Sequence, residues 1–286
     1  MKQWIYFVLV VNCSCAAVLA QPPKTSLLWE ISGNGLKHPS YLFGTFHMMC
    51  KTDFQVSDEL KKRISGANAF YGELKMDEEG MQAKLAMKMM MPDRSIEAMI
   101  GSKDYPAVKE GFQKITGMSL QMLDHFKPFM AESLLTLNMV PCADKIQPET
   151  EFTNLAKQLN IPVRGLETID EQINAIDKQP LDSQVRSFSE SVLKYDSAKT
   201  VMQQLIAVYQ TRDIDSLYRF MKANGNSGDF ELDLLVNRNH NWIPKIEQVI
   251  AAESVFFAVG AGHLGGQEGV ISLLRKRGYR LTPVKY

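Results

Sequence analysis

Cysteine and histidine are scarce in this chain, and neither sign of charge dominates. Its 286 residues include four Cys and five His, and 32 Lys and Arg balance 32 Asp and Glu. The zero net charge and the lack of a long basic block exclude the electrostatic footprint of a nucleic-acid-binding protein. The Gly-x-Ser-x-Gly elbow and the His-Glu-x-x-His helix of two large hydrolase classes are also missing from the sequence. A content of 45% hydrophobic and 22% charged residues indicates an ordinary globular protein.

The N-terminus has the pattern of a cleavable export signal. Lys2 precedes an apolar run over residues 4–11, and Ala20 ends a stretch that suits a signal peptidase. The run is well short of the roughly 20 residues of a membrane-spanning helix. A lipoprotein signal is disfavoured, because Asn12 stands directly before Cys13 where that motif needs a small apolar residue. We therefore predict a signal peptide over residues 1–20 and a periplasmic or extracellular protein without a membrane span.

Cleavage after Ala20 leaves a single mature domain, residues 21–286, with only Cys50 and Cys142. In an oxidising compartment, such a pair is most simply a disulfide. A bridge across so long a loop stabilises by about 3 to 5 kcal/mol in the chain-entropy model. Metal ligation is the alternative, because Cys50 lies three residues after His47.

Strand patterns at both ends of the chain enclose a helical middle, which predicts an α+β fold. We expect a small mixed sheet, built from the N- and C-terminal segments, with a large helical insertion packed over it. The predicted strands are 27–32, 40–46, 68–74, 163–166, 254–259 and 279–284. The predicted helices are 58–66, 78–91, 105–115, 128–139, 149–159, 183–211, 214–222, 231–249 and 267–276.

Two of the histidines share an unusual context. His47 and His263 each end a Gly-x-x-His unit at the point where a predicted strand ends. Glu73 is a charged residue at the end of a third apolar strand, where a carboxylate is costly unless it is paired or metal-bound. Ends of neighbouring strands open into the crevice where open sheets bind ligands. The alternative is that each histidine is a capped or buried structural residue.

Two imidazoles and one carboxylate form a reasonable set of ligands for Mn²⁺, Co²⁺ or Zn²⁺. They leave coordination positions for water, and a bound water with its pKa lowered toward about 7 is a hydrolytic nucleophile. We therefore predict that His47, Glu73 and His263 bind a divalent metal ion.

A nicotinamide cofactor is excluded, although residues 260–265 match the dinucleotide-binding fingerprint. That fingerprint requires an acidic residue about 20 positions later to hold the ribose. Residues 275–286 contain no Asp or Glu.

The sequence resembles the TraB/GumN/Tiki group, whose hallmark is two Gly-x-x-His motifs at opposite ends of the domain. The resemblance covers nearly the whole mature chain, and its landmarks are Leu42-Phe-Gly-Thr-Phe-His47, Tyr71-Gly-Glu73, Gly165-Leu-Glu167-Thr-Ile-Asp-Glu171-Gln172, Arg238-Asn239-x-x-Trp242 and Val259-Gly-Ala-Gly-His263-Leu-x-Gly. It implies a fold similar to the erythromycin-esterase/ChaN-like group, with His47, Glu73 and His263 as the metal site. It also implies a peptide or protein substrate, because the Tiki branch comprises metal-dependent proteases.

Three further polar residues are candidates for the same crevice. Arg238 lies one helical turn before Trp242 and is predicted to bind a substrate carboxylate or an oxyanion, or to pair with Glu73. A salt bridge between helix and sheet is its structural alternative. Asn239 and Glu167 are predicted to contact a ligand histidine or the substrate, and for Glu167 the alternative is capping the next helix.

The leading hypothesis is a metal-dependent hydrolase of peptide bonds, in which Glu73 and Arg238 are catalytic. The alternative is a non-catalytic exported protein that uses the same crevice to sequester a peptide or another ligand.

Overall fold

The computed structural model describes residues 24–225 and 232–286. These residues form a mixed α+β fold around a six-stranded sheet with the order β6-β4-β7-β2-β1-β8. The strands are β1 (Leu28–Ser32), β2 (Ser40–Thr45), β4 (Ala69–Gly72), β6 (Val163–Gly165), β7 (Val255–Gly260) and β8 (Arg280–Val284). A separate pair joins β3 (Met49–Cys50) to β5 (Lys145–Ile146). The predicted mixed sheet of N- and C-terminal segments is confirmed, and β6 adds an edge strand from the middle of the chain.

The first two strands form an antiparallel hairpin. The antiparallel pair β1–β2 is connected through Gly33, Asn34 and Gly35, whose φ angles are +79°, +48° and +80°. Glycine and asparagine tolerate this left-handed region, whereas most side chains are strained there. On its other side, β1 pairs antiparallel with β8.

The other half of the sheet is parallel, and this geometry positions the site. Strand β7 pairs in parallel with both β2 and β4, and β4 pairs in parallel with β6. Every residue of β2, β4 and β7 is buried, as expected for parallel strands covered on both faces. The carboxyl ends of these four strands therefore meet at one edge of the sheet.

Twelve α-helices surround the sheet in the described part of the chain. They are α1 (Asp58–Ser65), α2 (Met81–Lys88), α3 (Ile96–Ile100), α4 (Tyr105–Thr116), α5 (Pro128–Leu137), α6 (Pro148–Gln158), α7 (Ile169–Asp177), α8 (Leu181–Leu193), α9 (Tyr195–Gln210), α10 (Ile214–Asn224), α11 (Asn237–Ala252) and α12 (Val270–Lys276). A π-helical turn, Leu232–Val236, leads into α11. The predicted single helix over 183–211 is wrong, because Lys194 separates α8 from α9.

The helical insertion has an apolar core of its own. Side chains from α3, α4, α5 and α8 form a cluster that is distinct from the cluster around the sheet, with Phe112 and Phe188 in edge contact at its centre. The insertion therefore does not depend on the sheet alone for buried apolar surface.

The predicted bridge between Cys50 and Cys142 is confirmed, with a Cα–Cα distance of 5.8 Å. Its half-cystines belong to the small β3–β5 region and not to the crevice at the end of the parallel strands. Metal ligation by Cys50 is therefore wrong for this structure.

Replacing Cys142 by Ser is expected to lower the free energy of unfolding by about 3 kcal/mol, because the bridge spans 92 positions and restricts the unfolded chain. Urea unfolding of the oxidised wild type and of the variant measures this difference. Metal binding should be unchanged in Cys142→Ser. Reduced wild type is the matched control, and its free energy of unfolding should fall by the same amount. Equal stability of oxidised and reduced wild type would contradict the prediction.

None of the helices in the described ranges combines the length and the apolarity that crossing a bilayer requires. The predicted signal peptide, residues 1–20, lies outside the described residues.

Candidate metal site

The carboxyl edge of the parallel strands carries four of the six predicted polar site residues, and Arg238 and Asn239 contact them from α11. His47 follows β2, Glu73 follows β4 directly, and Glu167 follows β6. His263 ends the 3₁₀ turn after β7. The convergence that the sequence predicted for His47, Glu73 and His263 is thus present in the backbone topology.

The side chains of His47 and Glu73 both lie close to the backbone of Gly260. Its N–H donates to Glu73 Oε1 over 2.8 Å. A Cβ at this position would stand 3.3 Å from Glu73 Oε1 and 3.4 Å from His47 Nε2. The two side chains therefore border the same small space, and a larger residue at position 260 would compete with them for it.

His263 is the buried member of the set. Its Nε2 lies 3.7 Å from Glu73 Oε1, and its ring packs against the indole of Trp242 with centroids 4.4 Å apart. Its Nδ1 lies 2.7 Å from Oδ1 of Asn239, whose amide group donates to the backbone oxygens of His263 and Glu268. Burial lowers the pKa of His263 to about 3, so this imidazole is neutral at pH 7.

Arg238 supports this arrangement with all five of its N–H groups. Nε and Nη2 donate to the two carboxylate oxygens of Glu167 over 3.1 and 2.6 Å. Nη2 also donates to Glu73 Oε2 over 2.6 Å. Nη1 donates to Leu234 O and to His263 Nε2, over 2.8 and 3.2 Å. Because a guanidinium only donates, Nε2 of His263 is the acceptor and the ring carries its proton on Nδ1.

The guanidinium is the reason that two carboxylates can share this buried place. Burial alone would raise the pKa of Glu73, but the charges of His263, Arg238 and His47 and the N–H of Gly260 lower it to about 2. Since His263 is neutral at pH 7, Arg238 is the main buried cation that keeps Glu73 ionised. Burial raises the pKa of Glu167, and the bonds from Arg238 oppose that shift.

Glu167 faces inward and does not cap the next helix. Trp242 Nε1 donates to its Oε2 over 3.0 Å, and Gln172 Nε2 donates to its Oε1 over 3.1 Å. The cap of α7 is a capping box formed by Thr168 and Glu171 instead. The interpretation of Glu167 as a helix cap is therefore wrong.

His47 is the solvent-facing member, with 75% of its side chain exposed. Its Nδ1 lies 2.8 Å from Glu149 Oε1, and Thr45 Oγ1 donates to the same oxygen over 2.6 Å. The atoms that surround the ring would lower its pKa, but the hydrogen bond and charge of Glu149 and the charge of Glu73 raise it to about 9. Sequence reasoning missed Glu149, because a glutamate in the first turn of α6 carries no signal for a partner about a hundred positions away.

The donor atoms suit a divalent ion in type, with two conflicts. Two imidazole nitrogens and a carboxylate oxygen are fitting ligand types, and His47 Nε2 and Glu73 Oε1 border one space. With a pKa of about 9, however, His47 is protonated at pH 7 and must lose a proton before its Nε2 can bind an ion. In addition, the lone pair of His263 Nε2 accepts a hydrogen bond from Arg238. Among residues 24–225 and 232–286, no group of three or more His, Cys, Asp or Glu has the arrangement of a complete metal site. The ligand set therefore stays a prediction.

Comparison with known proteins finds one matching family model and two similar curated proteins. The model of the TraB/PrgY/gumN family matches residues 27–283. The chain is 20% identical to a metalloprotease TIKI2 from Danio rerio, over 93% of this chain and 62% of that protein. It is 22% identical to a metalloprotease TIKI2 from Xenopus tropicalis, over 93% of this chain and 61% of that protein. It thus spans about three fifths of the length of these curated relatives. No solved structure matches the chain.

Proposed function

The chain belongs to the TraB/PrgY/gumN family, and from this premise we propose that it is a metal-dependent hydrolase that cleaves peptide bonds. The observation that carries the proposal is the meeting of His47 Nε2 and Glu73 Oε1 around Gly260, with His263 Nε2 at 3.7 Å from the same carboxylate oxygen. Its relatives are named metalloproteases, which supports a peptide or protein as the substrate.

In this proposal, His47, Glu73 and His263 hold the ion. A divalent ion bound by them would supply a Lewis acid and a water of lowered pKa. Binding through His263 Nε2 requires Arg238 Nη1 to release that nitrogen, while Arg238 retains its bonds to Glu167. The Nδ1–H of His263 remains oriented toward Asn239 Oδ1, which fixes the ring for ligation.

The residues around the ion have distinct tasks. Glu73 remains a carboxylate at neutral pH, so it is able to act as a ligand or to accept a proton from an attacking water. Arg238 is a positioning residue, because its N–H groups bind protein acceptors. Glu149 holds His47 through Nδ1, and the opposite nitrogen borders the space beside Gly260 that Glu73 Oε1 also borders.

We also propose that the protein is exported and acts outside the cytoplasm. The signal-like pattern of residues 1–20 and the Cys50–Cys142 bridge support an oxidising compartment. We propose in addition that the fold is similar to the erythromycin-esterase/ChaN-like group, which rests on the resemblance of the sequence motifs.

A non-catalytic binding protein is the second candidate function. It is favoured by the hydrogen bonds that Arg238 donates to both Glu73 and Glu167, which hold the two carboxylates in place without a metal ion. A crevice of this kind would sequester a peptide through the exposed His47 side and would need no turnover.

Turnover of a peptide library separates the two functions. We expect the chain loaded with Mn²⁺, Co²⁺ or Zn²⁺ to cleave peptides, a chelator to abolish cleavage, and added ion to restore it. Mass spectrometry of the products measures the effect. Peptide binding without cleavage under all three ions would support the binding protein and overturn the hydrolase.

A further inference from the structure

A polar cleft lies between α7 and α11, beside the candidate metal site. Its volume is about 280 Å³, close to the lower end of the range for pockets that hold small ligands. Its wall includes Glu167, Arg238 and Trp242, and none of the three predicted metal ligands lines it. The Arg238–Glu167 pair thus lines the cleft and also contacts the candidate metal site.

Both acids of the cleft already have hydrogen-bond partners within the protein. Glu167 is paired through both oxygens with Arg238. Glu171 accepts the backbone N–H and the hydroxyl of Thr168 in the capping box of α7. Hydrogen bonds at a helix N-terminus stabilise a carboxylate. These contacts therefore offset part of the negative charge that Glu167 and Glu171 present to a ligand.

Lys245 contributes a positive charge to the cleft. It is partly buried on the cleft wall, and its Nζ donates to the backbone oxygen of Leu166 over 3.1 Å. Within the described ranges, no carboxylate forms an ion pair with Lys245. An ammonium has three N–H donors, so two of them are available to an acceptor in the cleft.

Side-chain amides complete the polar lining near Lys245. Asn241 lies one helical turn before Lys245 on α11, so both side chains occupy the same face. Asn174 approaches from α7 on the other side. Asn241 and Lys245 on α11 and Asn174 on α7 are hydrogen-bond donors in one lining, and such a set suits a carboxylate, whose two oxygens accept several hydrogen bonds.

We propose that this cleft is a subsite for a carboxylate group of a peptide, held by Lys245 and Asn241. The chemistry is shared by a C-terminal carboxylate and by an acidic side chain. The proposal rests on the proposed function for its peptide ligand, and it goes further by naming the charge and the place of the recognised group.

The test measures peptide binding by calorimetry to the full chain kept free of metal with a chelator, so that no cleavage interferes. The first pair of probes is an acetylated tetra-alanine peptide with a free C-terminal carboxylate and the same peptide with a C-terminal amide. In the second pair, both peptides have a C-terminal amide, and one contains a Glu at the position where the other contains a Gln. We expect at least one acidic probe to bind about tenfold or more tightly than its neutral partner. The pair that discriminates identifies the source of the carboxylate.

Variants test the named residues. Lys245→Met is expected to abolish the discrimination between acidic and neutral probes, and Asn241→Ala, an exposed position, is expected to weaken it. Lys114→Met is the matched control, because Lys114 is an exposed lysine on α4 outside the cleft. Circular dichroism checks that each variant is folded, and Asn241→Ala keeps the test decisive if Lys245→Met does not fold.

Equal affinity for the acidic and neutral members of both pairs would overturn the subsite, as would discrimination that persists in both cleft variants. These outcomes are separate from those of the hydrolase. Cleavage without carboxylate discrimination would contradict only the subsite, and discrimination without cleavage would contradict only the hydrolase.

Discussion

Replacing Arg238 by Ala is expected to lower the free energy of unfolding by about 3–5 kcal/mol. The substitution leaves Glu73 and Glu167 without the buried cation that binds both of them at 2.6 Å. Two uncompensated carboxylates in one buried place must either lose their charge or draw in water, and both cost stability. Urea unfolding followed by circular dichroism measures the change.

Arg164→Ala is the matched control for this prediction. Arg164 pairs with Glu253 at 3.0 Å, but its side chain is 47% exposed, so its loss is expected to cost about 1 kcal/mol or less. A triple variant, Arg238→Met with Glu73→Gln and Glu167→Gln, should recover part of the stability because it removes the buried charges together. An Arg238→Ala variant that is no less stable than Arg164→Ala would contradict the account.

Glu73→Gln is expected to reduce peptide turnover by about 100-fold to 10,000-fold, the range for loss of a group that moves a proton in the reaction. The change removes the carboxylate that borders His47 Nε2 and lies 3.7 Å from His263 Nε2. Turnover and metal content of the same preparation distinguish the roles of Glu73. Loss of both marks a ligand, and loss of turnover alone marks a proton acceptor.

Glu167→Gln provides the comparison, because it makes the same chemical change in the other carboxylate that Arg238 binds. Glu167 acts through Arg238 and is not a predicted metal ligand, so Glu167→Gln is expected to reduce turnover by no more than about 100-fold. A greater loss in Glu167→Gln than in Glu73→Gln would contradict the assignment of Glu73 to the reaction.

The ends of the strands were predictable from the sequence. Apolar runs that stop at Gly44, Glu73 and Gly260 specify strands that end in a polar crevice, and parallel pairing then brings their carboxyl ends to one edge. The disulfide was predictable as well, because Cys50 and Cys142 are the only cysteines after the signal-like segment.

Partners that are distant in sequence were not predictable. The pairing of His47 with Glu149 depends on α6 packing beside β2, and no local pattern carries that information. Arg238 likewise allowed several interpretations in the sequence. Only the packing of α11 over the sheet shows that one guanidinium serves both Glu73 and Glu167.

The division of the long helix had a tertiary cause. Residues 183–211 have no proline or glycine, so local propensity favours one helix. Phe188 of α8 packs into the core of the insertion, whereas α9 packs Met202 against that core and Tyr209 into the core around the sheet. These tertiary contacts override the local propensity for one continuous helix.

Metal titration of purified chain, after treatment with a chelator and dialysis, tests the central proposal most directly. We expect about one Mn²⁺, Co²⁺ or Zn²⁺ per wild-type chain. His47→Ala should bind more than about 100-fold more weakly while remaining folded, because the His47 ring is largely exposed. His38→Ala, a change of an exposed histidine in the segment between β1 and β2, should bind like wild type. No binding of any of the three ions by wild type, or undiminished binding by His47→Ala, would contradict a metal site at this edge of the sheet.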